Sequence, residues 1–316
     1  MALVAVDLRS SGLTSAVIGM SGKILQRETS GIANLQGKKV SDLIQNQITK
    51  LLGNFELKPL QLRSVGISVP GIYFSKSGTV WSPNIPGWES YPLKHDMSCF
   101  MEQNIRIKIA SNRTCDILGE KWLGEAKRTK NAIYLSIGNG IGAGILVDGK
   151  ILHGFDDGAG AVGWLTMESK ISKEYSQNGF FEFQASAKGI LNSLKKVLQK
   201  NKDYTGSLRN KSEEELSITD VFIAYDKDDQ IARTVLKNCI KYWGMASANL
   251  ISLFNPEIII FGGSVFGPAK RFLDEIKAEA EKWAQPIFMK QVKFVKSKLG
   301  SDAALFGAGH LAMKRY

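Results

Sequence analysis

Ser111-Asn112-Arg113-Thr114-Cys115-Asp116-Ile117-Leu118-Gly119-Glu120 follows a short apolar run, residues 105–110, and opens an amphipathic segment. It reads as the tip of a strand turning directly into a helix N-terminus. Toward the N-terminus, residues 4–7, 14–18 and 23–28 form a meander of short β-rich runs, broken by Gly12 and Met20-Ser21-Gly22. Apolar residues at Val40, Leu43, Ile44, Ile48, Leu51 and Leu52 keep helical spacing. Residues 62–69 then give a strand that stops at Pro70-Gly71, and residues 78–88 a Pro- and Gly-rich loop or hairpin. Beyond the corner the pattern restarts: strand 131–137, a glycine-rich turn 138–144, strand 145–147, and the tight hairpin Asp148-Gly149. A long helix over 228–254, strand 257–261, a helix over 268–284, a strand near 292–295 and a terminal helix from Ser301 follow, with a polar loop at 200–215. Two similar meanders, each followed by helices, point to two related α/β lobes.

Composition fits a soluble globular chain. Of 316 residues, 44% are hydrophobic, and no apolar run reaches the roughly 18 residues of a membrane span. The first residues enter a strand pattern without the basic and apolar regions of a signal peptide. Cys99, Cys115 and Cys239 are far apart, without CxxC spacing, as expected of reduced thiols in a cytoplasmic protein. His95, His153 and His310 are equally scattered, so no metal site is expected. The net charge of +11 is spread over short lysine groups such as Lys195-Lys196, with no aromatics interleaved. It reads as general surface charge rather than a nucleic-acid footprint.

Two glycine-rich segments bear on chemistry. In Gly138-Asn139-Gly140-Ile141-Gly142-Ala143-Gly144, glycines at every second position let backbone N–H groups approach a phosphate, or simply shape a turn. The pattern is neither a Walker A loop nor a Rossmann fingerprint, because a strand follows. Asn255-Pro256-Glu257-Ile258-Ile259-Ile260-Phe261-Gly262-Gly263-Ser264 is a helix end, a buried strand and a Gly-Gly turn into another helix. That turn is either a wall for an adenine ring with helix N–H groups for phosphate, or a plain βα connection.

Together and in this order, these pieces resemble the ROK family of bacterial sugar kinases and sugar-responsive repressors. The resemblance covers nearly the whole chain and also rests on Ser82-Pro83-Asn84-Ile85-Pro86-Gly87-Trp88, Leu118-Gly119-Glu120 and Asp302-Ala303-Ala304-Leu305-Phe306-Gly307-Ala308. It implies an α/β, two-lobed actin-like ATPase (ribonuclease H-like) fold with a cleft between the lobes. Residues 1–112 would form the first lobe, with a C-terminal helix over 302–316 packing back on it, and residues 113–301 the larger second lobe. It further implies ATP with Mg as cofactor, a sugar and/or nucleotide as ligand, and a homodimer, with neither membrane nor direct nucleic-acid binding.

The departures from the family pattern carry the functional reading. The family's first phosphate loop, D-x-G-G-T, is here Asp7-Leu8-Arg9-Ser10-Ser11. Asp7, which helps organise the metal-nucleotide complex, remains. Arg9 and Ser10 put side chains where a γ-phosphate would lie, which either obstructs it or lets Arg9 contact an anion. The resemblance assigns Gly138, Asn139, Gly140, Gly142, Gly262 and Gly263 to the nucleotide. Where the family reads E-N-D ahead of L-G-E, this chain has Ala110-Ser111-Asn112. Asn112 therefore stands on the catalytic aspartate and Ser111 on a sugar-contacting asparagine, with Asp116 a helical turn further on. A carboxamide cannot accept a proton at neutral pH. Within G-x-x-G-E-x-G-H, the sugar-binding glutamate is Ala161 and the histidine is Trp164. Residues 173–182 retain no ligand of the zinc motif, so no structural zinc is expected, and Phe180 and Trp164 would pack an apolar plug instead. Asn84 and Glu182 remain as sugar-site candidates, Glu182 equally as a surface carboxylate.

Three readings follow. The first is a ROK homologue with impaired catalysis that binds a sugar or nucleotide in a regulatory role. The second is an ATP-dependent hexose or N-acetylhexosamine kinase with an atypical centre. The third is a ROK-type transcriptional regulator without its own winged-helix domain, since no DNA-reading helix is evident in these residues.

Overall fold

The computed structural model describes residues 2–54, 62–102, 104–169 and 171–313. Strands β1 (Ala2–Arg9), β2 (Gly12–Gly19) and β3 (Ile24–Ser30) form the expected antiparallel meander. Helix α1 (Lys38–Asn54) leads to β4 (Leu62–Val69), which lies parallel to β1. The hairpin β5 (Ile72–Phe74) and β6 (Thr79–Trp81) and helix α2 (Leu93–Phe100) precede β7 (Arg106–Ser111), parallel to β4 at the sheet edge. The sheet order is β3-β2-β1-β4-β7. Alternation in the strands serves both faces. Val4, Val6, Leu8, Leu13 and Val17 pack with Val40, Ile44 and Ile48 of α1, whereas Ala5, Ala16 and Ile18 share a second core with Cys115 and Leu305.

Helix α3 (Asn112–Leu123) starts at Ser111, whose side chain caps Thr114 N. Strands β8 (Ala132–Ile137), β9 (Ile141–Val147) and β10 (Lys150–Ile151) begin the second sheet, ordered β10-β9-β8-β11-β12. Asp148 (φ +49°) and Gly149 (φ +76°) supply the left-handed pair that a two-residue hairpin needs. The helical region comprises α4 (Lys173–Asn178), α5 (Phe180–Ala185), α6 (Ala187–Lys200), α7 (Ile218–Asp226) and α8 (Gln230–Phe254). It leads to β11 (Ile258–Gly262), α9 (Leu273–Glu281), α10 (Pro286–Met289), β12 (Lys293–Lys296) and α11 (Ala303–Met313). β8, β11 and β12 run parallel.

The chain divides into two compact units. One comprises Met1–Lys130, Gly144–Gly160 and Ser297–Tyr316, the other Asn131–Ala143 and Ala161–Lys296. The sequence reading placed the boundary at residue 112, but α3 belongs with the first unit because α11 packs along it. That approach depends on glycine: a Cβ on Gly119 would lie 2.1 Å from Ala303 O, and one on Gly307 1.8 Å from Cys115 O. Gly119→Ala is therefore expected to cost about 1–3 kcal/mol by overpacking, read as a lowered urea midpoint. Residues 314–316 of the expected terminal helix lie outside the described residues. Among the described residues, no helix is long and apolar enough to cross a membrane.

Two local differences from the sequence reading matter for the site. The glycine-rich turn is confined to 138–140, because β9 begins at Ile141 and takes in Gly142 and Gly144. After Gly262-Gly263 the chain enters short 3-10 turns at Ser264–Phe266 and Ala269–Phe272, and α9 starts only at Leu273. Gly267 and Pro268 separate the two turns, and proline cannot continue a preceding helical hydrogen-bond ladder.

Candidate functional site

In the first unit the tips of β1, β4 and β7 bring Asp7, Ser68 and Asn112 together. The two hydrogens of the Asn112 amide are shared among three acceptors, Ser68 Oγ (2.6 Å), Leu8 O (3.0 Å) and Asp7 Oδ1 (3.1 Å). A backbone carbonyl and a carboxylate accept only, which fixes the amide nitrogen on this side. Arg9 Nε donates to Asp7 Oδ2 at 2.7 Å, and its Nη2 reaches Ser301 O at 3.3 Å and lies 3.6 Å from Asp116 Oδ1. Asp116 is 2% exposed, and its Oδ1 accepts no hydrogen bond. Arg27 forks onto both oxygens of Asp302 at 2.9 and 2.7 Å. Asp7, Arg9, Arg27 and Asp302 line a cavity of about 270 Å³, together with Ser11 and Gly12 of the β1–β2 turn. Ser10 and Ser11 are exposed at that turn.

Burial governs the electrostatics. It raises the Asp7 carboxyl above its usual range, against the pull of Arg9 and its hydrogen bonds. Asp116 is pushed up to about 7 by burial, opposed by Arg9 and helped by the neighbouring charges of Asp7 and Glu120. Glu120 itself is a brace. Its Oε1 accepts from Ser297 Oγ and Leu299 N, and its Oε2 from Glu125 N.

At Asp7 a guanidinium stands where a divalent cation would need to approach the carboxylate. Each oxygen of Asp7 accepts one hydrogen bond, one from the guanidinium and one from the amide, and keeps a further lone pair. Arg9 places a positive charge beside both Asp7 and Asp116.

The remaining first-unit candidates are separate from this cluster. Ser111 is buried as the α3 cap. Asn84 is exposed in a loop closed by Ser82 N to Trp88 O and anchored by Trp88 stacked on Tyr91, centroids 4.8 Å apart.

In the second unit, Glu182 Oε2 accepts from Ile141 N at 2.7 Å, tying α5 to the 138–140 turn. A Cβ on Gly140 would come within 2.9 Å of the same oxygen. Burial raises the Glu182 carboxyl, countered by that bond. Gly138 closes the turn, its N–H donating to Gly140 O, while Asn139 is exposed. Gly262 is required because a Cβ there would meet Tyr134 Oη at 1.9 Å. Gly263 has φ +89° and lies against Ile137 O. Packing thus accounts for both glycines without a ligand.

The expected apolar plug is half right. Phe180, 4% exposed, packs edge-on against Tyr175 and Tyr242, with centroids 5.0 and 5.4 Å away. Trp164 does not join it: at the end of the short 3-10 turn Val162–Trp164 it is 57% exposed. Ala161 precedes that turn and is also exposed. Ser68, Arg27 and Asp302 are the cluster residues that the sequence reading missed as site residues. Asp302 opens the motif over residues 302–308, whereas Ser68 and Arg27 carry no motif signal.

A meander feeding parallel strands occurs twice, and helix α11 closes the first sheet: this is the actin-like ATPase fold. The chain belongs to the ROK family, whose model matches residues 3–315. It is 28% identical over 315 residues to a glucokinase of Halalkalibacterium halodurans, covering 99% of this chain and 95% of that one. It is 27% identical to a xylose repressor of Caldicellulosiruptor bescii, covering 96% and 76%. Among solved structures, a ROK family glucokinase from Streptomyces griseus in complex with glucose and AMPPNP superposes with a TM-score of 0.83. That match is at 21% identity and covers 99% of each chain. A ROK family transcriptional regulator, a homologue of the E. coli MLC protein, gives 0.86 at 24% identity, covering 98% of this chain and 77% of that one.

Proposed function

We propose that this ROK-family chain is a sugar-binding regulatory protein that does not phosphorylate its ligand. The observation that carries the reading is the pairing of Asp7 with Arg9 on one oxygen and with the Asn112 amide on the other. Phosphoryl transfer to a sugar hydroxyl needs a proton acceptor at the hydroxyl and a cation at the phosphates. Asn112 presents donors to its neighbours at the position of the acceptor, and Arg9 quenches the carboxylate that would organise the metal. Loss of general-base assistance alone is worth about 10²–10⁴ in rate. The similarity to both glucokinases and repressors leaves sugar recognition as the activity that such a scaffold retains.

A competing reading is an active kinase using Asp116, because a carboxyl near pKa 7 is matched to general-base work at neutral pH. Against it, Asp116 is almost fully buried and faces Arg9. An ATP-dependent assay with glucose, mannose and N-acetylglucosamine separates the two. The regulatory reading expects turnover at background, and Asn112→Asp leaves it there because Arg9 still holds Asp7. Turnover of about 1 s⁻¹ or more by the unmodified protein, abolished in Asp116→Asn, establishes the kinase instead.

A further inference from the structure

A second concavity in the first unit, about 720 Å³, runs beside the edge strand β7. It is distinct from the Asp7 cluster: its wall includes Ser111 and Thr114 but neither Asp7 nor Asn112. Its volume is that of a small-molecule site. Lys94 from α2, Arg106 and Lys108 from β7, and His153 beyond β10 all line it, and Asp157 is the carboxylate among its lining residues. That carboxylate is already engaged, accepting from Ser75 N at 2.9 Å and lying 3.2 Å from His153 Nδ1. Behind it, Arg113 donates Nη2 to Asp157 O at 3.2 Å, while its buried Nε has no hydrogen-bond partner. The neighbouring Asp156 is paired with Lys76.

Basic residues on an edge strand often serve only to block strand pairing. That explanation covers Arg106 and Lys108, two residues apart on one face. It does not cover Lys94 and His153, which arrive from separate segments at the same concavity. With Asp157 engaged by His153 and Ser75 N, the remaining charges of the concavity are the cations of Lys94, Arg106 and Lys108, and such an excess focuses its field on an anionic ligand. The wall also offers Ile107, Phe155 and Leu311 for an apolar or ring-shaped body. We propose that this groove binds a small anionic metabolite carrying a phosphate or carboxylate on a sugar-sized body. Ser111 links the groove to the functional cluster, because it caps α3 immediately before Asn112.

The test is calorimetric titration of the full chain with glucose 6-phosphate, inorganic phosphate and citrate, compared with an Arg106→Glu, Lys108→Glu double variant. Lys94→Gln is a second, milder variant, and Lys227→Glu, exposed in the other unit, is the control. Saturable binding of at least one anion is expected. It should weaken at least tenfold in the double variant, weaken in Lys94→Gln, and stay unchanged in Lys227→Glu. Absence of heat from all three anions at roughly 10 mM overturns the proposal. So does binding that the double variant leaves intact. Duplex DNA bound tightly at physiological salt with the same sensitivity to these variants would replace the metabolite with nucleic acid.

Discussion

Replacing Arg9 by methionine is expected to destabilise the first unit by about 3 kcal/mol at pH 8, and by much less at pH 5. Methionine keeps most of the apolar stem and removes the cation shared by Asp7 and Asp116. Breaking a buried ion pair costs about 3–5 kcal/mol because the surviving charge has no partner. Arg9 is a third exposed, which places its loss near the lower bound. Without the guanidinium both carboxyls titrate at still higher pH, so they are protonated and harmless in acid and lack a counter-cation once they ionise in base. Urea unfolding at the two pH values measures this. An equal loss at both would mean that Arg9 acts through packing and not through charge.

Asp116→Asn is expected to act in the opposite direction. The folded-state value of about 7 lies above the roughly 3.9 of an unfolded aspartate. A raised carboxyl favours the folded state fully below about pH 4, and that advantage is lost as pH rises through 7. About three units correspond to a span of roughly 4 kcal/mol. The amide keeps the shape and cannot ionise, so the variant should lose this slope. At pH 8 it should be more stable than the parent by about 2 kcal/mol, after allowance for its weakened contact with Arg9. Melting temperatures from pH 4 to pH 8 give the comparison. A parent whose stability is flat over that range would show that Asp116 does not titrate there.

Much of the fold was legible because it is local. Alternation in β1 to β3, the helical spacing of Val40 to Leu52 and the Pro70-Gly71 stop are each written within a few residues. The corner at Ser111-Asn112 was legible for the same reason. What escaped depends on partners far apart in the chain. Arg27 meets Asp302 across 275 positions, Ser68 meets Asn112 across 44, and Glu182 meets Ile141 across 41. Nothing in the residue types around Ser68 marks it as an acceptor for Asn112. Trp164 shows the converse limit. Its size suggested burial beside Phe180, but the position closes a 3-10 turn that leaves it exposed. Helix α6, by contrast, shows its spacing plainly in Ile190, Leu194 and Leu198.

The return of α11 to the first sheet also governs when that unit can be completed during synthesis. Leu305 and Ala308 fill a core otherwise made by Ala5, Ala16, Ile18 and Cys115, and Gly66 is left bare so that Ala308 can approach β4. The ribosome makes β1 nearly three hundred residues before it makes α11. Throughout that interval one face of the first sheet waits uncovered, while the whole second unit has already emerged. Contacts this distant in sequence close slowly and leave apolar surface open to misassembly. Truncation before Ala303 should therefore leave the first sheet dependent on chaperones.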